Sequence, residues 1–174
     1  VAMALDDKLG ELATGMSVSD AIESYLARLG DAGAADSGVS AEAAARAQSE
    51  AVAEIMFLVA AVDGEIADVE IDLLKKSVLD LSAIGVLAAI DAEALVPTLA
   101  DRLATEGWSA RMHAATDALT APDVRRLAYR LGAGVAFVDD RVEAAEAAAL
   151  DSLAKTFGLA DDEAHAILVE VQKT

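Results

Sequence analysis

The sequence predicts an all-α fold. It is 55% hydrophobic yet only 3% aromatic, because alanine, the best helix former, supplies much of the apolar content. Only two prolines interrupt its 174 residues. Apolar residues recur at helical spacing, as in Ala21, Ile22, Tyr25, Leu26 and Leu29. A chain of this length fits one domain with a substantial core. The expected organisation is an N-terminal helical arm and flexible linker over residues 1–40, followed over 41–174 by a compact helical domain of two pseudo-symmetric helix-loop-helix halves.

Taken in order, the arm carries a short helical pattern over about 2–13 and a second over about 19–29, with Ser19 a fitting cap and Gly30 a fitting stop. The glycine-rich run 30–40 reads as a linker. Docking of the arm on the body and an assembly contact are both open at this point. The helix over 41–62 loses all charge after Glu54 and should form a central buried rod. A helix over about 68–81 follows, then breaks at Gly85 and Asp91 around a further pattern, then helices over about 92–105 and 109–119. Thr120-Ala121-Pro122 is a start signal, with proline in the first turn of a partner rod over 122–138. Gly132 and Gly134 within that rod cost about 1 kcal/mol each against alanine. Close approach of another backbone accounts for them, and the first rod is the natural neighbour. Helices over 143–157 and 161–171 complete the chain, and Trp108 and Tyr129 are expected to anchor the core.

The apolar run of the first rod breaks at Asp63-Gly64. Asp63, Gly64, Ile66 and Glu70 have the spacing of the back half of an EF-hand loop, but Val59 and Ala61 stand where its first ligands belong, so an EF-hand is rejected. The stretch recurs at an offset of 76 (139 − 63; 146 − 70), placing Asp63 on Asp139, Ile66 on Val142 and Glu70 on Glu146. Such a period is too long for a solenoid and points to duplication of one unit. Two acidic elbows at equivalent places suggest a facing pair. Glu70 is favoured at the start of a helix, whereas Asp63 at the end of one wants a cation or a donor. Asp139, with Asp140 beside it, repeats the mismatch. Taken singly, each elbow also reads as a turn followed by a capping glutamate.

At these residues the chain resembles the TerB-like proteins associated with tellurite resistance. The mark is a buried helix ending in a small-apolar Ala-Asp-Gly pattern, then Ile and Glu at the start of the next helix. Here it reads Ala61-Val62-Asp63-Gly64-Glu65-Ile66-Ala67-Asp68-Val69-Glu70, with a degenerate copy over 137–146. The resemblance covers roughly residues 41–174. In the copy Asp140 replaces the glycine, and Ala67 and Glu143 stand where a Ser, Thr or Asp cap is usual. The resemblance implies a compact helical domain with a divalent-cation site between its halves, acting in bacterial response to tellurite or related chemical stress.

Charge narrows the classes further. Thirteen basic against thirty-one acidic residues give −18, which argues against nucleic-acid binding. Self-repulsion of that size is relieved by bound cations. The absence of cysteine removes disulfides, thiolate zinc sites and cysteine nucleophiles. The uncharged apolar runs 55–62 and 81–90 fall far short of the roughly 20 residues that span a bilayer. Asp6 and Asp7 stand where a secretion signal would be basic, so a cytoplasmic location is expected.

The resulting expectation is a non-enzymatic protein. Asp63, Glu70, Asp139 and Glu146 hold calcium, magnesium or manganese, with Glu65 and Asp140 as additional ligands. The ion sets an angle between helices that a partner protein, such as a member of a membrane-associated stress complex, reads. The rival is an interaction scaffold whose acidic face binds a basic protein and whose elbows are only turns. A carboxylate metallohydrolase would need an open coordination position and a cleft. No Gly-x-Ser-x-Gly element or phosphate loop supports an enzyme, and His113 and His165 do not form a recognisable metal pair.

Overall fold

A computed structural model of the chain describes residues 4–31, 40–64, 66–138 and 142–174. The described residues form nine helices and no strand: α1 (Leu5–Leu12), α2 (Val18–Asp31), α3 (Ala41–Ala60), α4 (Asp68–Ala83), α5 (Ala92–Glu106), α6 (Trp108–Ala118), α7 (Pro122–Ala136), α8 (Ala144–Phe157) and α9 (Asp161–Lys173). No helix among them is long and apolar enough to cross a membrane.

The two rods α3 and α7 are the centre. Residues 51–59 of α3 are all buried, and so are residues 127–129 and 131–136 of α7. Continuous burial follows from the apolar character of both segments, in which the single charges Glu54 and Arg130 are each paired with an outer helix. Helices α2 and α6 flank α3, whereas α1, α8 and α9 pack on α7. Ser40, placed in the linker by the sequence pattern, is the cap of α3: its Oγ accepts from the Ala43 N–H at 3.1 Å. The rest of that linker, residues 32–39, lies outside the described residues.

The arm docks. Leu5, Leu9 and Leu12 of α1 are buried in the same continuous core as α3 and α7. The two α7 glycines serve different neighbours. A Cβ on Gly132 would meet Val59 and Ile55 of α3, as expected, but one on Gly134 would lie 2.7 Å from Leu9 Cδ2 and 2.9 Å from Leu12 Cδ1. The second glycine therefore makes room for α1 rather than for the other rod. Between α4 and α5 the further pattern is not a helix. The N–H groups of Val86 and Leu87 turn back onto the Leu81 carbonyl, and the Ala88 N–H donates to Ser49 Oγ at 2.9 Å. The Val86 carbonyl accepts from the Val18 N–H at 2.8 Å, tying down the start of α2.

Among the described residues the charged side chains of the rods pair away from one another. Glu54 pairs with Arg111 of α6 and Arg130 with Glu170 of α9. Glu50 pairs with Arg46 along its own helix, and Arg126 with Asp123 and Glu163. Packing turns Glu54, Arg126 and Arg130 toward outer helices, because the contact between rods is filled by apolar groups and glycine. Of the two expected aromatic anchors, Tyr129 is buried. Trp108 is half-buried, and its Nε1–H donates to the Leu58 carbonyl at 2.8 Å, satisfying a group that the end of α3 leaves open.

Candidate functional site

The elbows form where the rods stop. Ala60 ends α3 and Ala136 ends α7; Asp68 opens α4 and Ala144 opens α8, both pairs 76 positions apart (136 − 60; 144 − 68). Each rod closes with a bond from the residue after its last helical position: Ala61 N–H to the Phe57 carbonyl at 2.9 Å, and Phe137 N–H to the Ala133 carbonyl at 3.0 Å. Gly64 then takes φ +89°, a conformation that L side chains rarely adopt, which gives the Asp-Gly turn its physical reason.

The helices that leave the elbows start alike. Glu70 Oε2 accepts from the Ala67 N–H at 2.7 Å, and Glu146 Oε2 accepts from the Glu143 N–H at 2.9 Å. In both, a glutamate in the third helical position reaches back to the residue before the helix, which is half of a capping box. Ala67 has no polar atom for the other half, and Glu143 makes no side-chain cap bond. Both glutamates therefore have a structural role.

Asp63, Glu70, Glu143 and Glu146 nonetheless line one cleft of about 290 Å³, with Leu73 and Val138 among its apolar walls. Of the expected ligands the cleft brings together Asp63, Glu70 and Glu146. Glu65, Asp139 and Asp140 lie outside the described residues. Asp63 sits farther from its helix than expected, three positions past the last residue of α3, so the carbonyl end of the rod acts on it less strongly. Glu143 was not among the expected ligands. Its signal was positional, since it matches Ala67 under the offset of 76 (143 − 67) and stands beside the capping pair.

Chemically the cleft is simple. Its polar side chains are all carboxylates, with no hydroxyl, imidazole or amine among the lining residues. Oxygen donors of this kind suit hard divalent cations. Among the described residues no three His, Cys, Asp or Glu side chains come together closely enough to hold a metal ion. His113 and His165 are both exposed and lie on different helices, with His113 Nδ1 2.9 Å from the Ser109 carbonyl. No family model, curated protein or solved structure matches this chain.

Proposed function

We propose that this chain is a non-enzymatic, cytoplasmic, divalent-cation-binding protein of the TerB-like kind. The observation that carries the reading is the convergence of carboxylates from two separate elbows on one cleft. The donor chemistry fits calcium, magnesium or manganese. Glu70 and Glu146 each commit one oxygen to a helix start, and a carboxylate has two oxygens with about four lone-pair sites, so capping and ligation are compatible. The described carboxylates alone do not complete a coordination sphere; Glu65, Asp139, Asp140 and water would supply the remainder. The net charge of −18 concentrates cations near the surface.

In this reading the ion holds α4 against α8, and a partner protein recognises that arrangement. By the resemblance of the first elbow, that role would lie in bacterial response to tellurite or related stress.

The test is thermal unfolding of chelator-stripped protein with and without calcium, magnesium or manganese, compared with a Glu70→Gln/Glu146→Gln double variant. Glutamine keeps an acceptor oxygen for the capping bond and removes the charge that ligation needs. A cation at a hundredfold its dissociation constant should stabilise the native chain by about 2.7 kcal/mol. Loss of that gain in the variant supports the site. A gain that survives, or none in either protein, leaves the elbows as turns and favours the acidic scaffold.

A further inference from the structure

We propose that the trough between α2, α7 and α9 is a docking site for a basic amphipathic helix of a partner protein. Helix α2 packs on α3 and α7, and α9 packs on α7. Between α2 and α9 they leave a cavity of about 530 Å³ whose floor is the α7 face carrying Asp123, Val124, Arg126, Leu127 and Arg130. From Asp123 to Arg130 the floor runs two helical turns, roughly 10 Å. The apolar contacts on offer are Met16 and Ala21 on one wall and Ala166 on the other. Among the described residues there is no strand, so there is no sheet edge on which an extended peptide could add.

Charge selects the occupant. The trough is lined by Asp20, Asp123, Glu163 and Glu170 against only Arg126 and Arg130. Arg126 is held by Asp123 and Glu163, and Arg130 by Glu170, so no arginine charge is left uncompensated to attract an anion. A lining with two net negative charges, on a protein of net −18, repels anionic membranes and acidic peptides. A helix with apolar residues at i, i+3 or i+4 and i+7, flanked by lysine or arginine, matches the apolar walls at Met16, Ala21 and Ala166 and the acidic rim. This site is separate from the elbow cleft and does not depend on cation binding there.

The experiment uses the full chain and three fluorescent synthetic peptides in about 0.15 M salt, where long-range attraction is screened: an amphipathic Leu/Lys helix, its Leu/Glu counterpart, and oligo-lysine of the same charge. The Leu/Lys helix should bind best. Its affinity should fall about tenfold or more when Ala21→Trp fills the trough, and change little when Gly10→Trp fills the acidic groove between α1 and α4. Thermal unfolding reports whether Ala21→Trp folds. The natural lack of cysteine allows a second readout that does not fill the trough. Bound Leu/Lys peptide should protect a Ser24→Cys thiol from alkylation and leave a Ser152→Cys thiol on α8 reactive. Equal binding of oligo-lysine, binding of the Leu/Glu helix, loss through Gly10→Trp instead, or equal reactivity of the two thiols would each overturn the proposal.

Discussion

Arg111 grips Glu54 with two parallel bonds, Nε to Oε1 at 2.7 Å and Nη2 to Oε2 at 3.0 Å, and so clamps α6 onto the central rod. The Glu54 side chain is 6% exposed and that of Arg111 13%. Hydrogen bonding to Glu54, and secondarily to Glu106, holds the guanidinium above its ordinary pKa despite the opposing effect of burial. Glu54 is thus a charge in the core whose compensation, among the described residues, lies 57 residues away in sequence.

Removing one partner should therefore cost more than replacing both. Arg111→Met strands the buried Glu54 carboxylate and should destabilise the fold by about 3–5 kcal/mol. The Glu54→Leu/Arg111→Met double variant should recover most of that loss, because it leaves no buried charge. Urea unfolding followed by Trp108 fluorescence measures both. A double variant as unstable as the sum of the single variants contradicts the account.

The two rod glycines should respond in opposite senses to alanine. Gly132→Ala places its Cβ 3.4 Å from Val59 Cγ2, an ordinary contact, and gains up to about 1 kcal/mol of helix propensity. Gly134→Ala drives a methyl into Leu9 and Leu12, both buried. Its overpacking cost of about 1–3 kcal/mol should exceed the propensity gain. Denaturant midpoints for the two variants, with hydrogen exchange on α1, check the difference. Gly134→Ala should loosen α1 selectively.

Tyr129 supplies a pH signature. Burial, and then the nearby Asp151 carboxylate, raise its phenol above the ordinary value of 10.0. The folded chain holds this proton more tightly than the unfolded chain does. Its contribution to stability is therefore complete below pH 10 and declines as pH rises from there through the higher folded-state value. Alkaline titration of phenolate absorbance should show a late-ionising tyrosine that Tyr129→Phe removes. The variant should also lose stability less steeply with pH in that range.

Trp108 should be more than packing. Trp108→Phe keeps an aromatic ring but leaves the Leu58 carbonyl without its indole donor, which should cost about 1–3 kcal/mol. The helical circular-dichroism signal gives the midpoint, since this change removes the only tryptophan. Unchanged stability would mean that water replaces the indole at the end of α3.

Much of the fold was legible because the relevant physics is local. The breaks at Asp63-Gly64, Gly85, Gly107 and Gly158 fall at four of the positive-φ glycines or beside them, and Pro122 opens α7 as its fixed φ favours. The segment 86–90 stayed unassigned because its buried residues Val86, Leu87 and Ile90 lie in a chain reversal, which periodicity does not distinguish from a short helix. At the elbows, the offset of 76 located Glu70 and Glu146 at matching helix starts (146 − 70). Capping by both glutamates was legible in each elbow taken singly, whereas the offset did not reveal that Glu143 would share their cleft.

By itself, the sequence determined the helical class, the two rods with their apolar ends, the positions where they stop and the acidity of the surface. Each of these follows from propensity, spacing or charge among near neighbours. Tertiary structure decided which charges meet, where the arm lies and which carboxylates share a cleft. Glu54 and Arg130 occupy matching places along their rods, yet one turns to α6 and the other to α9. The partner of a long side chain depends on how neighbouring helices pack and cross, and that is set by the fit of Gly132 against Val59 and of Gly134 against Leu9 rather than by either charge.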